Sequence, residues 1–179
     1  MAIFTDLKQA IRTSAIAALS EFTNPMVIFS HENGPEPSVS YVVINVLNVE
    51  QQGHHSTSTL VNTDETLTFQ VAYEIMCQFS FIGSLSGEMS QSFNNNVNNN
   101  PLTRLELNRN RLGFMRKSQI RRAPQKRDTK WVEYHNIDVT FSYIVVTNQL
   151  IDSVTGVVIA DETSEIPVII KIPESIIYP

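Results

Sequence analysis

The chain has few side chains suited to acid–base, nucleophilic or metal chemistry, with four histidines and one cysteine among 179 residues. His54 and His55 are adjacent, and neighbouring side chains of an extended chain point apart, so they lack the geometry of a metal-binding pair. His31, next to Glu32 in a loop rich in turn formers, could contribute to an acid–base site. A surface loop residue is the simpler interpretation of His31, and His135 is expected to lie on a strand.

Nucleophilic and phosphate-binding chemistry also lacks a motif. Cys77 is the single cysteine and falls on the apolar face of an alternating segment, where a thiol is expected to be inert. The six glycines include no glycine-rich phosphate loop. We therefore predict no enzyme activity, cofactor or metal. A hydrolase or nuclease that uses His31 or His54 is the least supported alternative.

Basic residues are concentrated in one segment, residues 104–130. It holds ten of the thirteen Lys and Arg residues and two acidic residues, which gives it a formal charge of +8. The rest of the chain has three basic and sixteen acidic residues, a formal charge of −13. This segregation predicts two faces of opposite charge, which can attract nucleic acid or the opposite face of another copy.

The sequence carries no signal for a membrane or for secretion. No apolar run approaches the ~20 residues that a transmembrane helix needs. The segment from Met1 to Ser20 lacks the continuous apolar centre of a secretory signal. A single cysteine fits a reducing compartment, so we expect a protein that is made and kept in a cytoplasm.

The elements that position these residues begin with a helix. Apolar residues spaced three and four apart predict it near the N-terminus, and Asn24-Pro25 ends it. Met26 to Phe29 predicts a short strand, and Val39 to Val49 predicts a second. The polar stretch from Gly53 to Ser58, which contains two of the histidines, is expected to be the loop at a hairpin tip.

The clearest element is a long strand from Thr66 to Phe81, in which every odd position is apolar. This alternation predicts a strand with one face in the core, and its sixteen residues would span roughly 50 Å at ~3.3 Å each. We expect such a strand to project beyond its own core. A second alternating strand runs from Ile137 to Val145, after a phase slip near His135-Asn136 that indicates a bulge.

Helices are predicted between the two long strands. Met89, Phe93 and Val97 recur at four-residue spacing, the asparagine-rich run that follows is expected to be a fraying end or elbow, and Pro101 begins a second short helix. With 42% hydrophobic residues, the chain fits one globular domain with an extension. The fold class predicted is α+β, an antiparallel β-sheet with long strands and helices packed on one face, plus a C-terminal extended arm. We expect the domain at residues 1–147 and the arm, or added β-strands, at 148–179.

The basic segment contains a predicted hairpin from Arg116 to Lys130, called the basic hairpin below. A strand begins at Gly113, a polar turn spans Gln125 to Lys130, and Trp131 starts the return strand. Alternation places Phe114, Arg116, Ser118 and Ile120 on one side and Met115, Lys117, Gln119 and Arg121 on the other. The candidate contact residues of this hairpin are Arg116, Lys117, Arg121, Arg122, Lys126, Arg127 and Lys130.

Two targets are open for a positively charged hairpin tip. It could contact DNA phosphates with a salt-sensitive, sequence-independent affinity, or it could dock on the acidic surface of a neighbouring protein. Aromatic residues do not interleave with the charges, which disfavours base stacking and single-strand binding. We favour the protein neighbour, because tightly bound DNA would resist ejection and the acidic remainder of the chain offers a partner.

Several motifs, taken in order, resemble the neck and tail terminator proteins of tailed bacteriophages. The resemblance covers residues 1 to about 147. It rests on the N-terminal helix, the turn Asn33-Gly34-Pro35-Glu36-Pro37 before a strand with Tyr41, the long alternating strand, the asparagine-rich helix, Leu112-Gly113-Phe114, Ile120-Arg121-Arg122-Ala123-Pro124 and Asp128-Thr129-Lys130-Trp131.

The resemblance implies a virion structural protein, assembled in the host cytoplasm, that terminates the tail tube or joins it to the head connector. It implies a homo-oligomeric ring of six subunits around the DNA channel, with double-stranded DNA passing without sequence specificity. The implied partners are head connector or adaptor proteins and tail tube or sheath proteins. It implies no catalysis, cofactor or metal. The alternative is a non-specific double-stranded DNA-binding module that uses residues 104–130.

Overall fold

The computed structural model describes residues 3–57, 66–127, 129–150, 156–159 and 168–171. Within these ranges the elements are α1 (Ile3–Ala18), β1 (Met26–Phe29), β2 (Tyr41–Thr57), β3 (Thr66–Ile82), α2 (Ser86–Asn99), α3 (Pro101–Arg109), β4 (Leu112–Lys117), β5 (Arg121–Arg122), β6 (Gln125–Arg127), β7 (Lys130–Val132), β8 (Tyr134–Leu150), β9 (Gly156–Ile159) and β10 (Val168–Lys171). The predicted α+β class is confirmed.

The main sheet has six strands in the order β1-β2-β3-β8-β4, with β5 also paired to β8. Antiparallel pairing dominates, and both β4 and β5 run antiparallel to β8. The short strand β1 instead lies parallel to β2, with Met26 opposite Tyr41. The predicted sheet is therefore confirmed except at this edge, where the connection through residues 30–40 returns the chain to run in the same direction.

The chain divides into two compact units, which are Met1–Ser56 with Gln70–Val146 and Thr57–Phe69 with Thr147–Pro179. In the second unit, β9 and β10 pair antiparallel, with Gly156 opposite Lys171. Of the rest of the predicted arm, residues 148–150 belong to β8 and the others lie outside the described residues. The division at residues 147 and 148 stays a prediction.

The core of the first unit is built on the alternation of β3. Phe79 packs against Phe93 of α2 with ring centroids 4.6 Å apart, and against Phe141 of β8 at 6.4 Å. Phe81 lies 5.4 Å from the same Phe93 ring. All four side chains are buried, and each contributes about 1.5–3 kcal/mol through removal from water. The odd residues of β3 from Ile75 to Phe81 therefore face this core, and the even residues between them face the other side of the sheet.

The second long strand of the sheet, β2, extends further than its sequence pattern indicates. It continues through Thr57, so the loop expected at Gly53 to Ser58 is wrong for residues 53–57, and Ser58 lies outside the described residues. This extension is polar, and a polar side-chain pair crosses to β3, where the Gln52 amide donates to a Glu74 carboxylate oxygen at 3.2 Å. The strands pair here through backbone hydrogen bonds, which residues of any polarity can make. The sequence therefore shows no apolar alternation in this part of β2.

The asparagine-rich run is mostly helical. Helix α2 continues to Asn99 because Phe93 and Val97 are buried, while the Asn96 amide donates to the Ala18 carbonyl oxygen at 3.1 Å. The elbow falls at Asn100, whose side-chain oxygen accepts from the backbone N–H of Leu102 at 2.8 Å and caps α3. The elbow and the helix starting at Pro101 are confirmed. The fraying alternative is wrong, because α2 is helical through Asn99 and the Asn100 N–H donates to the Asn96 carbonyl oxygen at 3.1 Å.

Cys77 should react only when the protein unfolds. Burial raises the pKa of its thiol to about 12, so the reactive thiolate is scarce at neutral pH and reagents cannot reach it. We expect labelling by a thiol reagent at pH 8 to follow the unfolding transition in denaturant. A Cys77→Ser, Gln119→Cys variant, with its thiol at an exposed position, should label rapidly in the native state. Equal labelling rates of the two native proteins would contradict the burial of the Cys77 thiol.

Replacement of Gly83 by alanine should destabilise the fold. Gly83 has φ +110°, and an added Cβ would lie 2.7 Å from Ser40 Oγ and 3.0 Å from Ser40 Cα. We expect Gly83→Ala to lower the free energy of unfolding by about 1–3 kcal/mol, measured by urea denaturation. Gly34→Ala is the matched control, because nothing lies within 4 Å of its added Cβ. A similar small effect of both substitutions would rule out strain at Gly83.

Candidate functional site

The basic hairpin is built from four short strands. Strands β4 and β5 pair with β8, while β6 and β7 form a separate two-stranded hairpin with Lys126 opposite Trp131. The predicted turn at Gln125 to Lys130 is wrong in extent, because its residues on both sides belong to β6 and β7. The tip lies at the junction between these two strands. The polar residues of β6 and β7 resemble a turn in the sequence because five of the six residues in these strands are exposed, although they pair as strands.

A β-bulge changes the side on which Arg116 lies. Phe114 pairs with Phe141 of β8, and Arg116 pairs with the adjacent β8 residue, Thr140. Met115 is therefore the extra residue on β4. Alternation placed Phe114 and Arg116 on one side, which is wrong because the bulge shifts the period by one. Phe114 packs on the main core, whereas Arg116 reaches the opposite face of the sheet.

The phase slip near His135 and Asn136 is not a bulge in the pairing with β5, which runs in register through both residues. The slip has another cause. Ile137 belongs to the core under the helices, while Tyr134 is buried in a second cluster with Tyr41 and Ile82. Strand β8 therefore buries apolar residues on both faces near its start.

Arg116 and Lys117 bind partners on opposite faces of the sheet. The Arg116 guanidinium pairs with the Glu74 carboxylate of β3 at 2.9 Å and donates to the Thr140 hydroxyl oxygen at 3.3 Å. The Lys117 ammonium donates to the backbone carbonyl oxygen of Asn94 in α2. Burial lowers the pKa of Lys117. Both side chains hold β4 in place.

Arg121 and Arg122 are paired with carboxylates near the start of β8. Arg121 Nη2 lies 2.5 Å from Asp138 Oδ2. Arg122 makes a bidentate pair with Glu133, with Nε to Oε2 at 2.9 Å and Nη2 to Oε1 at 2.6 Å. This pair raises the pKa of Arg122 and lowers the pKa of Glu133, chiefly through the hydrogen bonds. These contacts fix the direction in which the chain leaves the main sheet.

Arg127 ties the outer part of the hairpin to the turn that precedes β2. Its guanidinium pairs with Glu36, which also accepts from the Tyr41 hydroxyl at 2.7 Å. The guanidinium carbon lies 5.4 Å from the centroid of the Tyr134 ring, a cation–π contact. Hydrogen bonding from Tyr41, together with Arg127, lowers the pKa of Glu36, while burial and the Glu36 bond raise the pKa of Tyr41 to about 12.

The seven candidate cations therefore fall into two groups. Arg116, Arg121, Arg122 and Arg127 have carboxylate partners within the chain, and Lys117 has a carbonyl partner. Lys126 and Lys130 have no ion-pair partner among the described residues. The formal charge of the hairpin is partly neutralised by carboxylates, and the two lysines without an ion-pair partner among the described residues lie on β6 and β7. A role of the seven residues in contacting another molecule stays a prediction.

Trp131 is a candidate contact residue that sequence reasoning missed. The side chain is 70% exposed, more than any other large hydrophobic residue among those described, and it is the only tryptophan of the chain. The sequence pattern indicates only a strand start at this position. Its position directly after a charged, polar turn and beside Lys130 is the signal that could have revealed it, although Val132, the next residue, packs on a buried cluster.

The other chemical candidates are not brought together into a site. The carboxylate of Glu32, the neighbour of His31, forms an ion pair with Arg12, with Nη2 to Oε1 at 2.6 Å. Its Oε2 accepts from the backbone N–H of Phe29 at 3.2 Å. His135 Nδ1 lies 3.1 Å from the hydroxyl oxygen of Ser86. Among the described residues no group of three or more His, Cys, Asp or Glu could hold a metal ion, and no helix is long and apolar enough to cross a membrane.

Glu36 should make stability depend on pH through its contacts with Tyr41 and Arg127. Because its pKa is lowered on folding, its carboxylate stabilises the protein above the ordinary value of 4.5, and this is lost as the pH falls through the lowered value. We expect Glu36→Gln to lower the free energy of unfolding at pH 7 by up to about 1 kcal/mol, since the pair is exposed. The difference from wild type should vanish in acid.

The matched control for Glu36→Gln is Glu50→Gln, the same chemical change at an exposed strand residue whose side chain forms no hydrogen bond or ion pair with a described residue. Urea denaturation at several pH values measures both. A difference between wild type and Glu36→Gln that is constant with pH would contradict the proposed contribution of the Glu36 carboxylate.

A family model described as phage neck terminator protein matches residues 13–166 of the chain. The matched range includes the last six residues of α1, the main sheet, the basic hairpin and the β9 strand. It ends later than the region that carries the sequence resemblance. No curated protein matches the chain.

Proposed function

Because the chain belongs to the phage neck terminator protein family, we propose that its copies form a ring that terminates the tail tube or joins it to the head connector. Family membership makes the protein a structural component of the phage virion that interacts with other head or tail proteins. The finer features proposed are six subunits, a central channel through which double-stranded DNA passes, and assembly in the host cytoplasm.

The observation that carries this proposal is the way in which the basic hairpin is held. Four of its arginines are engaged by Glu74, Asp138, Glu133 and Glu36, so the hairpin is fixed on the sheet while β6 and β7 remain exposed. A hairpin held in this way, with an exposed tryptophan and two lysines that form no ion pair with a described residue, has the composition of a protein contact site. It supports docking on a neighbouring subunit or on the adjoining ring.

The overall charge fits a channel through which DNA must move. The chain has a formal net charge of −5, and a ring of such subunits repels phosphates on average. Weak attraction at a few basic residues would not hold the DNA against ejection. Sequence-independent passage therefore needs no dedicated binding residues.

A second candidate function is non-specific binding of double-stranded DNA. It is favoured by the exposure of the paired arginines, whose side chains remain 41–67% accessible. Each could add a phosphate contact beside its carboxylate partner, and binding would then weaken steeply with salt. An electrophoretic mobility shift at low salt tests this function directly.

Reversal of charge at the hairpin tip should block the joining of heads and tails. We expect Lys126→Glu, Lys130→Glu to fail to complement a phage that lacks this protein, with separate heads and tails in electron micrographs, because the docking surface would be repelled. The control is Arg104→Glu, Arg111→Glu, the same charge change at exposed residues of the basic segment outside the hairpin. Normal particles with the tip variant would remove the hairpin from the joining contact.

The tip variant should lose assembly without a change in DNA binding. We expect the purified wild type to show no mobility shift of double-stranded DNA at physiological salt, and the tip variant to lose ring formation in negative-stain micrographs. A strong, salt-sensitive shift that disappears in the tip variant while rings persist would favour the DNA-binding function instead.

A further inference from the structure

We propose that Trp131 of one copy inserts into an apolar hollow beside Pro25 on the next copy, so that subunits join head to tail. The hollow lies around Phe22, Asn24, Pro25 and Met26, at the junction of α1 and β1. The proposal rests on the ring proposed above and names the contact that would build it.

The inserting element is exposed and held in place. Trp131 stands on β7 opposite Lys126, and the adjoining strand is tied back by Arg127 to Glu36 and to the Tyr134 ring. A tryptophan buries about 150–250 Å² on entering an apolar site and is enriched among the residues that dominate binding energy. Pre-positioning by the Arg127 contacts lowers the entropy lost on docking.

The receiving hollow is apolar and open. Two adjoining hollows of about 560 and 320 Å³ share Phe22, Asn24, Pro25 and Met26 as lining residues. Ten large hydrophobic side chains remain exposed among the described residues, and four of them line these hollows: Ile16 at 40%, Met26 at 42%, Val39 at 59% and Leu85 at 44%. Such a grouping of exposed apolar side chains marks an interaction surface.

The rim of the hollow is fixed by hydrogen bonds. The backbone N–H of Leu85 donates to the Ser40 hydroxyl oxygen at 3.0 Å, which joins the start of α2 to the segment before β2. On the other side the Phe22 N–H donates to the Leu19 carbonyl oxygen at 2.9 Å. The hollow therefore exists before a partner arrives, as a docking site with little reorganisation requires.

Charges around the two surfaces are complementary. Lys126 and Lys130 flank the tryptophan and have no ion-pair partner in the described part of the chain. Glu21 and Glu88 directly precede the hollow residues Phe22 and Met89, are exposed, and form no ion pair with a described basic residue, although the Glu21 carboxylate accepts from the Ser92 hydroxyl at 2.8 Å. Opposite charges on the two rims would orient the approaching copies and exclude the reverse arrangement.

A second copy of this chain is the occupant that these observations favour, because both halves of the contact are present on one chain. The hairpin and the hollow are different surfaces, so each copy can use its hairpin on one neighbour and its hollow on the other. Contacts of this heterologous kind repeat and close into a ring when the rotation between copies permits.

The test uses two variants that each remove one half of the contact. Trp131→Ala removes the inserting side chain, and Val39→Glu, Leu85→Glu places charge in the hollow at exposed positions. We expect each variant alone to associate at least tenfold more weakly than wild type in analytical ultracentrifugation. An equimolar mixture should recover dimers but no rings, because one intact hairpin and one intact hollow remain per pair.

Two controls separate the contact from general effects. Leu102→Glu, Leu105→Glu introduces the same charges at exposed apolar residues of α3 outside the hollow and should assemble normally. Trp131→Phe should recover part of the affinity. Because Trp131 is the only tryptophan, its emission should shift to shorter wavelength as wild type associates, and the hollow variant should show no such shift.

The outcomes distinguish this contact from the proposed function. Rings that persist in Trp131→Ala, or a mixture of the two variants that stays monomeric, would overturn the insertion of Trp131 into the hollow. Neither result would contradict the proposed ring at the neck. Recovery of dimers in the mixture with no protein found at the neck by immunogold labelling would support the contact and overturn the proposed function.

Discussion

The packing of Phe79 against Phe93 and Phe141 is the constraint on which the rest of the structure depends. It assigns one face of the sheet to the helices. Since strand residues alternate between faces, the same packing places Glu74 and Asp138 on the opposite face. Carboxylates at these positions are then available to the arginines of β4 and β5, so the aromatic core also determines how the basic hairpin is attached.

The ion pairs of the hairpin contribute more to orientation than to stability. Each includes an arginine whose side chain is 41–67% exposed, and an ion pair at the surface is worth about 0–1 kcal/mol. Their combined effect is to reduce the directions in which β6 and β7 can point. They also limit the charge segregation, because five arginines of the segment with a formal charge of +8 pair with carboxylates of the described residues.

Sequence alone predicts the parts of this fold that depend on apolar periodicity. The alternation of β3, the buried stripe of α2 and the proline at the start of α3 were sufficient for the α+β class. The polar end of β2 and the bulge at Met115 leave no such pattern, because backbone hydrogen bonds define them. The hairpin pairs are also beyond local reasoning, since Arg116 and Glu74 are 42 residues apart and Arg127 and Glu36 are 91 apart.

A subunit that assembles with copies of itself must remain soluble before assembly, and the distribution of apolar surface meets this requirement. Trp131 lies beside Lys130 and opposite Lys126, and the exposed apolar side chains of the hollow are on other elements, so the two apolar surfaces of one copy are separate. The net charge of −5 keeps free copies apart at long range, and the opposite charges beside the two surfaces act only at short range. Association is then favoured in one relative orientation, which is the property that a closed ring requires.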